Sequence, residues 1–128
     1  MRKKTLMIHG GISRDMYTGA VSIPVSHAST FKQSSIGDFK YEYARTGNPT
    51  REALETLISD IEGGVDGFAF SSGMAAISAV MHLFKSGDHI IFTDDVYGGT
   101  FRLATKILNQ YNLETSFIDT SDTDKVRK

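Results

Sequence analysis

Ser71-Ser72-Gly73-Met74-Ala75-Ala76 stands between a short apolar stretch and an apolar helical run. A turn of small residues at a helix start gathers backbone N–H groups that have no intrahelical acceptor, and the helix dipole adds partial positive charge there. That combination seats an anion, a phosphate above all. Gly73 lets the backbone approach a ligand closely, while Ser71 and Ser72 supply hydroxyls. The same residues equally make an ordinary helix cap, with Ser72 closing the first turn. Both readings stand on local grounds.

Two further runs carry chemistry. In Tyr41-Glu42-Tyr43-Ala44-Arg45-Thr46-Gly47-Asn48-Pro49-Thr50-Arg51, the planar fork of Arg45 suits a phosphate dianion better than a lysine would. Tyr43, two residues away, points to the same side if the segment is extended. A solvated loop arginine fits the pattern as well. Arg51 falls at the third position of a predicted helix, where its charge opposes the dipole, so it calls for an anionic partner. Glu55, four residues on, and a bound phosphate both answer that need. Asp94-Asp95-Val96-Tyr97-Gly98-Gly99-Thr100 follows a strand end, where α/β sheets bind ligands. There Tyr97 offers a ring face for a flat heteroaromatic group, with Gly98 and Gly99 keeping the wall low; a surface tyrosine before a helix capped by Thr100 is the bland alternative.

The elements that must position these residues follow from periodicity and punctuation. Residues 1 to about 47 carry no long period, and Val21 to Phe31, interrupted by Pro24, reads as an extended arm with turns. Such an arm buries little apolar area per ordered residue, so it must lie on its own body or on a neighbouring subunit. Asn48 is a good N-cap and Pro49 suits the first helical position. Leu54, Leu57, Ile58 and Ile61 then share one helix face, and Gly63-Gly64 stops the helix. Beyond Gly67 short strands and helices alternate: strand Phe68 to Phe70, helix Met74 to Phe84, strand His89 to Thr93, helix Thr100 to Tyr111 and strand Glu114 to Ile118. Phe101, Ala104, Ile107, Leu108 and Tyr111 form the inner side of the second of these helices, and Asp122 to Lys128 opens another. The pattern predicts a mostly parallel sheet with helices on its faces. The Met74 helix is apolar nearly all round, which asks for cover on more than one side.

Composition narrows the function. The 128 residues are 40% hydrophobic and 23% charged with two prolines, a globular balance. A net charge of -1 with scattered Lys and Arg offers no stripe for nucleic acid and no polybasic membrane patch. The apolar residues after Arg2-Lys3-Lys4 are too few for a signal-peptide core, and no run is long enough to span a bilayer. The absence of cysteine excludes a disulfide scaffold and a thiolate nucleophile and suits a reducing cytoplasm. His9, His27, His82 and His89 lack metal-site spacing, so no metal is expected; His82 reads as a packed or hydrogen-bonded side chain. Neither a dinucleotide glycine fingerprint nor a Gly-Lys-Ser/Thr nucleotide loop is present.

Four segments in this order resemble one family: Thr5-Leu6-Met7-Ile8-His9-Gly10-Gly11, Tyr43-Ala44-Arg45-Thr46-Gly47-Asn48-Pro49-Thr50-Arg51, Ser71 to Ala76, and Asp94 to Thr100. They resemble the fold-type I pyridoxal-phosphate (PLP) enzymes of Cys/Met metabolism, which include cystathionine lyases and synthases, methionine gamma-lyase and O-acylhomoserine sulfhydrylases. Bacterial cystathionine gamma-lyases and homocysteine gamma-lyases are the most similar in feel. The likeness runs along essentially the whole chain.

The resemblance implies an α/β fold, the N-terminal part of the aspartate aminotransferase-like fold with its sheet incomplete. Residues 1–60 would be an N-terminal arm and first helix, and residues 61–128 the first part of the large PLP-binding domain. Ser72, Gly73 and Met74 would bind the cofactor phosphate, Tyr43 and Arg45 would reach it from the adjacent subunit, and Tyr97 would stack on the pyridine ring and help deprotonate the incoming amine. The implied protein is a cytoplasmic homo-oligomer, a dimer of dimers, acting on a sulfur amino acid by α,γ- or α,β-elimination, with no nucleic-acid or membrane partner. Cystathionine gamma-synthase and O-acetylhomoserine sulfhydrylase share this front half. In methionine gamma-lyases a cysteine stands at the position of Gly99, which argues against that subgroup. The family's Schiff-base lysine matches none of Lys85, Lys106, Lys125 or Lys128. The chain therefore reads as the N-terminal portion of a longer enzyme, inactive alone. A non-catalytic association module that pairs its arm with a full-length subunit is the alternative from another class.

Overall fold

The computed structural model describes residues 3–11 and 15–127, in two units, Met1–Ala69 and Phe70–Lys128.

The first unit is built on α2 (Pro49–Glu62). Asn48 holds extended backbone, and its side-chain oxygen accepts from the Thr50 N–H at 2.9 Å and the Arg51 N–H at 3.4 Å. Gly63 ends the helix in the left-handed region at φ 68°, a conformation that glycine alone adopts without steric cost. Both ends match the sequence expectation. Before it, residues read as part of an aperiodic arm contain a short helix, α1 (Lys3–His9), that packs on α2. The approach is close: a Cβ on Gly11, which sits at φ +65°, would lie 2.2 Å from the Ala53 carbonyl oxygen.

The rest of the arm is extended with turns. It is joined to itself at the antiparallel bridge Thr30↔Tyr43, where the Phe31 N–H donates to Glu42 O at 3.0 Å and the Ala44 N–H to Ser29 O at 2.9 Å. The arm meets its own body at Ser26. The Ser26 N–H donates to Thr50 Oγ1 at 2.9 Å, and Asn48 Nδ2 donates to Ser26 O at 3.3 Å.

The second unit is a parallel pair with crossover, β1 (His89–Thr93), α4 (Gly98–Lys106) and β2 (Glu114–Ile118). The register pairs His89 with Glu114 and Thr93 with Ile118. Ile90, Phe92, Ala104, Leu108 and Leu113 are buried together, with Met81, Val96, Leu103 and Phe117 packed against them. Phe117 stacks on Phe92 with centroids 5.4 Å apart and meets Phe101 at 4.9 Å. The connecting helix differs from expectation: it begins at Gly98, ends at Lys106, and passes into a 3₁₀ turn over Leu108–Tyr111 closed by Asn112 at φ 58°. Ala104 and Leu108 are buried as expected and Thr100 joins them in the same row, while Phe101, Ile107 and Tyr111 stay exposed.

Other expectations change as well. Helix α3 (Gly73–Met81) ends three residues before Phe84, because the following N–H groups bond three residues back instead of four: Leu83 to Val80 O and Phe84 to Met81 O. His82 is accordingly an exposed C-cap and not a packed helical side chain. Phe68 to Phe70 forms no strand, and the sheet of the described residues has two strands. The Ala69 N–H, which a ladder would need, donates to Glu55 Oε1 at 2.9 Å. The helix expected from Asp122 is one turn, α5 (Thr123–Val126), capped by Asp122; Lys128 lies outside the described residues. Among the described residues no helix is long and apolar enough to cross a membrane.

Candidate functional site

Helix α3 begins where an apolar helical run meets a serine. Ser72 is extended (φ −156°, ψ 156°), and its Oγ accepts from the Ala75 N–H at 3.1 Å. That satisfies one of the orphan donors at the helix start. Among the described residues the N–H groups of Gly73 and Met74 meet no acceptor, and the Ser72 hydroxyl keeps its own proton to donate. Gly73 is exposed, and a Cβ built on it would meet nothing within 4 Å. A phosphate can approach these donors without displacing protein.

The loop after β1 brings Tyr97 to the same element. Tyr97 is the residue preceding α4, 68% exposed, and Thr100 lies inside the helix, so the expected Thr100 cap is not formed. A Cβ on Gly99 would lie 2.6 Å from Tyr97 Cε1 and 2.9 Å from Met74 Sδ, so the phenol ring and the thioether both rest against this glycine. Thr100 Oγ1 stands 4.0 Å from the same sulfur. Met74 thus joins the α3 N-terminus to the α4 N-terminus, with the Tyr97 ring beside it. Ser72, Gly73, Met74 and Tyr97 all belong to this unit.

Tyr43 and Arg45 belong to the first unit and form a pair of their own. The Arg45 guanidinium carbon lies 5.0 Å from the Tyr43 ring centroid, within cation–π range, and both side chains are exposed. The turn that carries them closes on the Tyr43 carbonyl, which accepts from the Thr46 N–H at 3.0 Å, the Gly47 N–H at 3.0 Å and Thr46 Oγ1 at 2.8 Å.

Arg51 resolves differently from a phosphate ligand. Its Nε lies 3.4 Å from Glu55 Oε1, the carboxylate alternative, and its remaining nitrogens donate to the carbonyls of Ala44, Arg45 and Thr46. Those carbonyl partners escaped the sequence reading, because any residue supplies a carbonyl. Also unread was a cluster of Lys40, Tyr41 and Glu52. The Tyr41 hydroxyl donates to Glu52 Oε2, and Lys40 Nζ stands 3.2 Å from Glu52 Oε1. The hydrogen bond from Tyr41, helped by Lys40, holds the Glu52 carboxyl below its ordinary range, while burial raises the Tyr41 phenol. Only the eleven-residue separation of Tyr41 and Glu52 across a turn hinted at it, and no periodicity marks such a pair.

The residues fit the phosphate and ring of PLP: open N–H donors and a hydroxyl at the α3 start, and an exposed phenol face set low against Gly99. Comparison with known proteins agrees. The family model described as Cys/Met metabolism PLP-dependent enzyme matches residues 4–128. Cystathionine gamma-lyase of Bacillus subtilis (strain 168) is 60% identical over 129 residues, covering 100% of this chain and 34% of that protein. Cystathionine beta-lyase of Lactococcus lactis subsp. cremoris (strain MG1363) is 58% identical over 97% of this chain and 33% of its own. The crystal structure of cystathionine gamma-lyase from Lactobacillus plantarum complexed with L-serine superposes with a TM-score of 0.92 at 54% identity, covering 98% of this chain and 33% of that one. The chain belongs to the Cys/Met metabolism PLP-dependent enzyme family and has its α/β fold with a small, incomplete sheet. It spans about a third of the length of the curated relatives it matches.

Proposed function

We propose that these residues form the N-terminal third of a PLP-dependent carbon–sulfur lyase that acts on a sulfur amino acid such as cystathionine, homocysteine or cysteine. The observation that carries it is the meeting, within one unit, of the unpartnered Gly73 and Met74 N–H groups with the exposed Tyr97 ring beside Met74. Relatives of both gamma- and beta-lyase name support the reading. Residues 1–60 serve as arm and first helix, and residues 61–128 as the first part of the large cofactor-binding domain.

In this reading Gly73 and Met74 donate backbone N–H bonds to the cofactor phosphate, and Ser72 donates its hydroxyl. Tyr43 and Arg45 complete the phosphate site of an adjacent subunit, so the working enzyme is at least a dimer; the family resemblance extends this to a dimer of dimers in the cytoplasm. Their exposure and mutual stacking support that role, since neither side chain is spent on a partner carboxylate. Tyr97 would offer its ring face to the cofactor ring, and its hydroxyl would take a proton from the incoming amino group. When bound, the pyridine ring supplies the electron sink that stabilises negative charge developing at the substrate Cα. The lysine that anchors the cofactor lies outside residues 1–128. Elimination releases a thiol, and hydrolysis of the remaining carbon skeleton gives ammonia with pyruvate or 2-oxobutyrate.

Assay of the full-length enzyme with cystathionine, homocysteine and O-acetylhomoserine tests the proposal. Thiol and keto-acid release from the first two supports it. Preferential replacement chemistry on O-acetylhomoserine rejects the lyase assignment and favours a synthase or sulfhydrylase.

A further inference from the structure

The Tyr43–Gly47 turn must hold an exposed arginine in one direction, yet beyond the single bridge at Tyr43 it lies in no helix or sheet. Its own hydrogen bonds converge on a single carbonyl, that of Tyr43. The next three carbonyls are all taken by one side chain. Arg51 Nη1 donates to Ala44 O at 3.3 Å and Arg45 O at 3.2 Å, and Nη2 donates to Thr46 O at 3.0 Å. Fixing three successive peptide planes fixes the Cα–Cβ direction of Arg45, which lies between two of them. The fork is itself held: Nε meets Glu55 Oε1 at 3.4 Å, and that same oxygen accepts the Ala69 N–H at 2.9 Å. Both side chains are largely sheltered, at 34% and 22% exposure, where a surface pair would be left to solvent. Asn48 and Pro49 start α2 at a set point, so position 51 faces back toward the turn one helical turn later.

We infer that Arg51, braced by Glu55, is a positioning residue that shapes the Tyr43–Gly47 turn and thereby aims Arg45 at the cofactor phosphate. The inference rests on the phosphate role of Tyr43 and Arg45 proposed above. Lysine cannot replace Arg51, because an ammonium presents three donors from one atom and has no planar fork to span three carbonyls while keeping its carboxylate. Arg51 acts through Arg45 and touches no phosphate, so its loss matters only while Arg45 is present.

A double-mutant cycle in the full-length enzyme reads that dependence. Arg45→Ala, Arg51→Met and the double variant are titrated with PLP and, separately, with pyridoxal, which lacks the phosphate. Arg51→Met is expected to raise the PLP dissociation constant about tenfold, the scale of losing one aimed charge-assisted bond, and to leave pyridoxal binding within about twofold. The double variant should bind PLP within about twofold of Arg45→Ala alone. Losses that multiply in the double variant, or equal weakening toward pyridoxal, overturn the inference while leaving Arg45's own role intact. An unchanged PLP dissociation constant for Arg45→Ala instead sinks the phosphate role, and this inference with it. Should Arg51→Met fail to fold, Arg51→Lys enters the same cycle with the same expected outcome.

Discussion

Arg45 is exposed, stacked on Tyr43 and free of any carboxylate among the described residues, a geometry that leaves its fork available to an anion. Arg45→Ala in the full-length enzyme should raise the PLP dissociation constant about tenfold or more, since a charge-assisted pair is replaced by water. A titration within twofold of wild type would count against it. Gly99 permits a sharper separation of effects. Alanine is favoured over glycine inside a helix by about 1 kcal/mol, yet a Cβ here meets Tyr97 Cε1 at 2.6 Å and Met74 Sδ at 2.9 Å. Gly99→Ala should therefore leave the unfolding midpoint no lower while cutting kcat/KM about tenfold through a displaced Tyr97 ring. Unaltered kcat/KM would show that the ring tolerates the shift. The Ser72-Gly73-Met74 turn and Tyr97 were legible from the chain because helix starts and strand-end loops announce themselves in local residue types. Arg51 was only half legible: its misfit with the dipole signalled a partner, but three of its acceptors are carbonyls, which no side-chain pattern encodes.

The bounds of helix α2 were legible, since its cap, its proline and its terminal glycine lie within one short segment, but its apolar face was not: Leu54 and Ile58 are exposed while Ser59 is buried. Asn48→Ala should destabilise the full-length enzyme by about 1 kcal/mol, measured by urea unfolding, because it strips the Thr50 and Arg51 N–H groups of their acceptor. It also removes the donor to Ser26 O that fastens the arm. The second fastening, Lys40–Tyr41–Glu52, titrates. Glu52 ionises more readily folded than unfolded, chiefly because the Tyr41 hydroxyl donates to it, so its contribution is present above its ordinary value of 4.5 and fades as pH falls through the lower, folded value. Lys40 is raised above its ordinary 10.5, by Tyr41 first and then Glu52, so its contribution holds below that pH and disappears as pH rises through the folded value. Glu52→Gln should flatten the acid side of the stability–pH curve; an unchanged acid limb would remove this cluster from the account. Elements that depend on distant partners were misread for one reason. Phe68 to Phe70 has strand-forming residues, but a strand exists only beside a neighbour, and here its amide goes to Glu55. On α4 the apolar spacing found Ala104 and Leu108 but passed over Thr100, a polar residue buried in the same row, and counted Phe101, Ile107 and Tyr111 as inner though they are exposed.

At the scale of the whole chain, exposure and chemistry point the same way. Among the described residues Phe68, Val65, Leu83 and Ile36 are large apolar side chains left exposed. The proposed cofactor perch of Gly73, Met74 and Tyr97 offers no covalent anchor: Lys85 and Lys125 lie outside α3 and α4, and Lys106 stands at the far end of α4 from Tyr97. The isolated chain should therefore hold PLP weakly and reversibly and turn over no sulfur amino acid. Incubation with PLP, reduction with borohydride and measurement of intact mass provide the check: the expected result is scattered, substoichiometric labelling of surface lysines. One equivalent of label on a single lysine, together with lyase activity, would place the anchoring lysine within residues 1–128 and overturn the assignment of these residues to one third of the working enzyme.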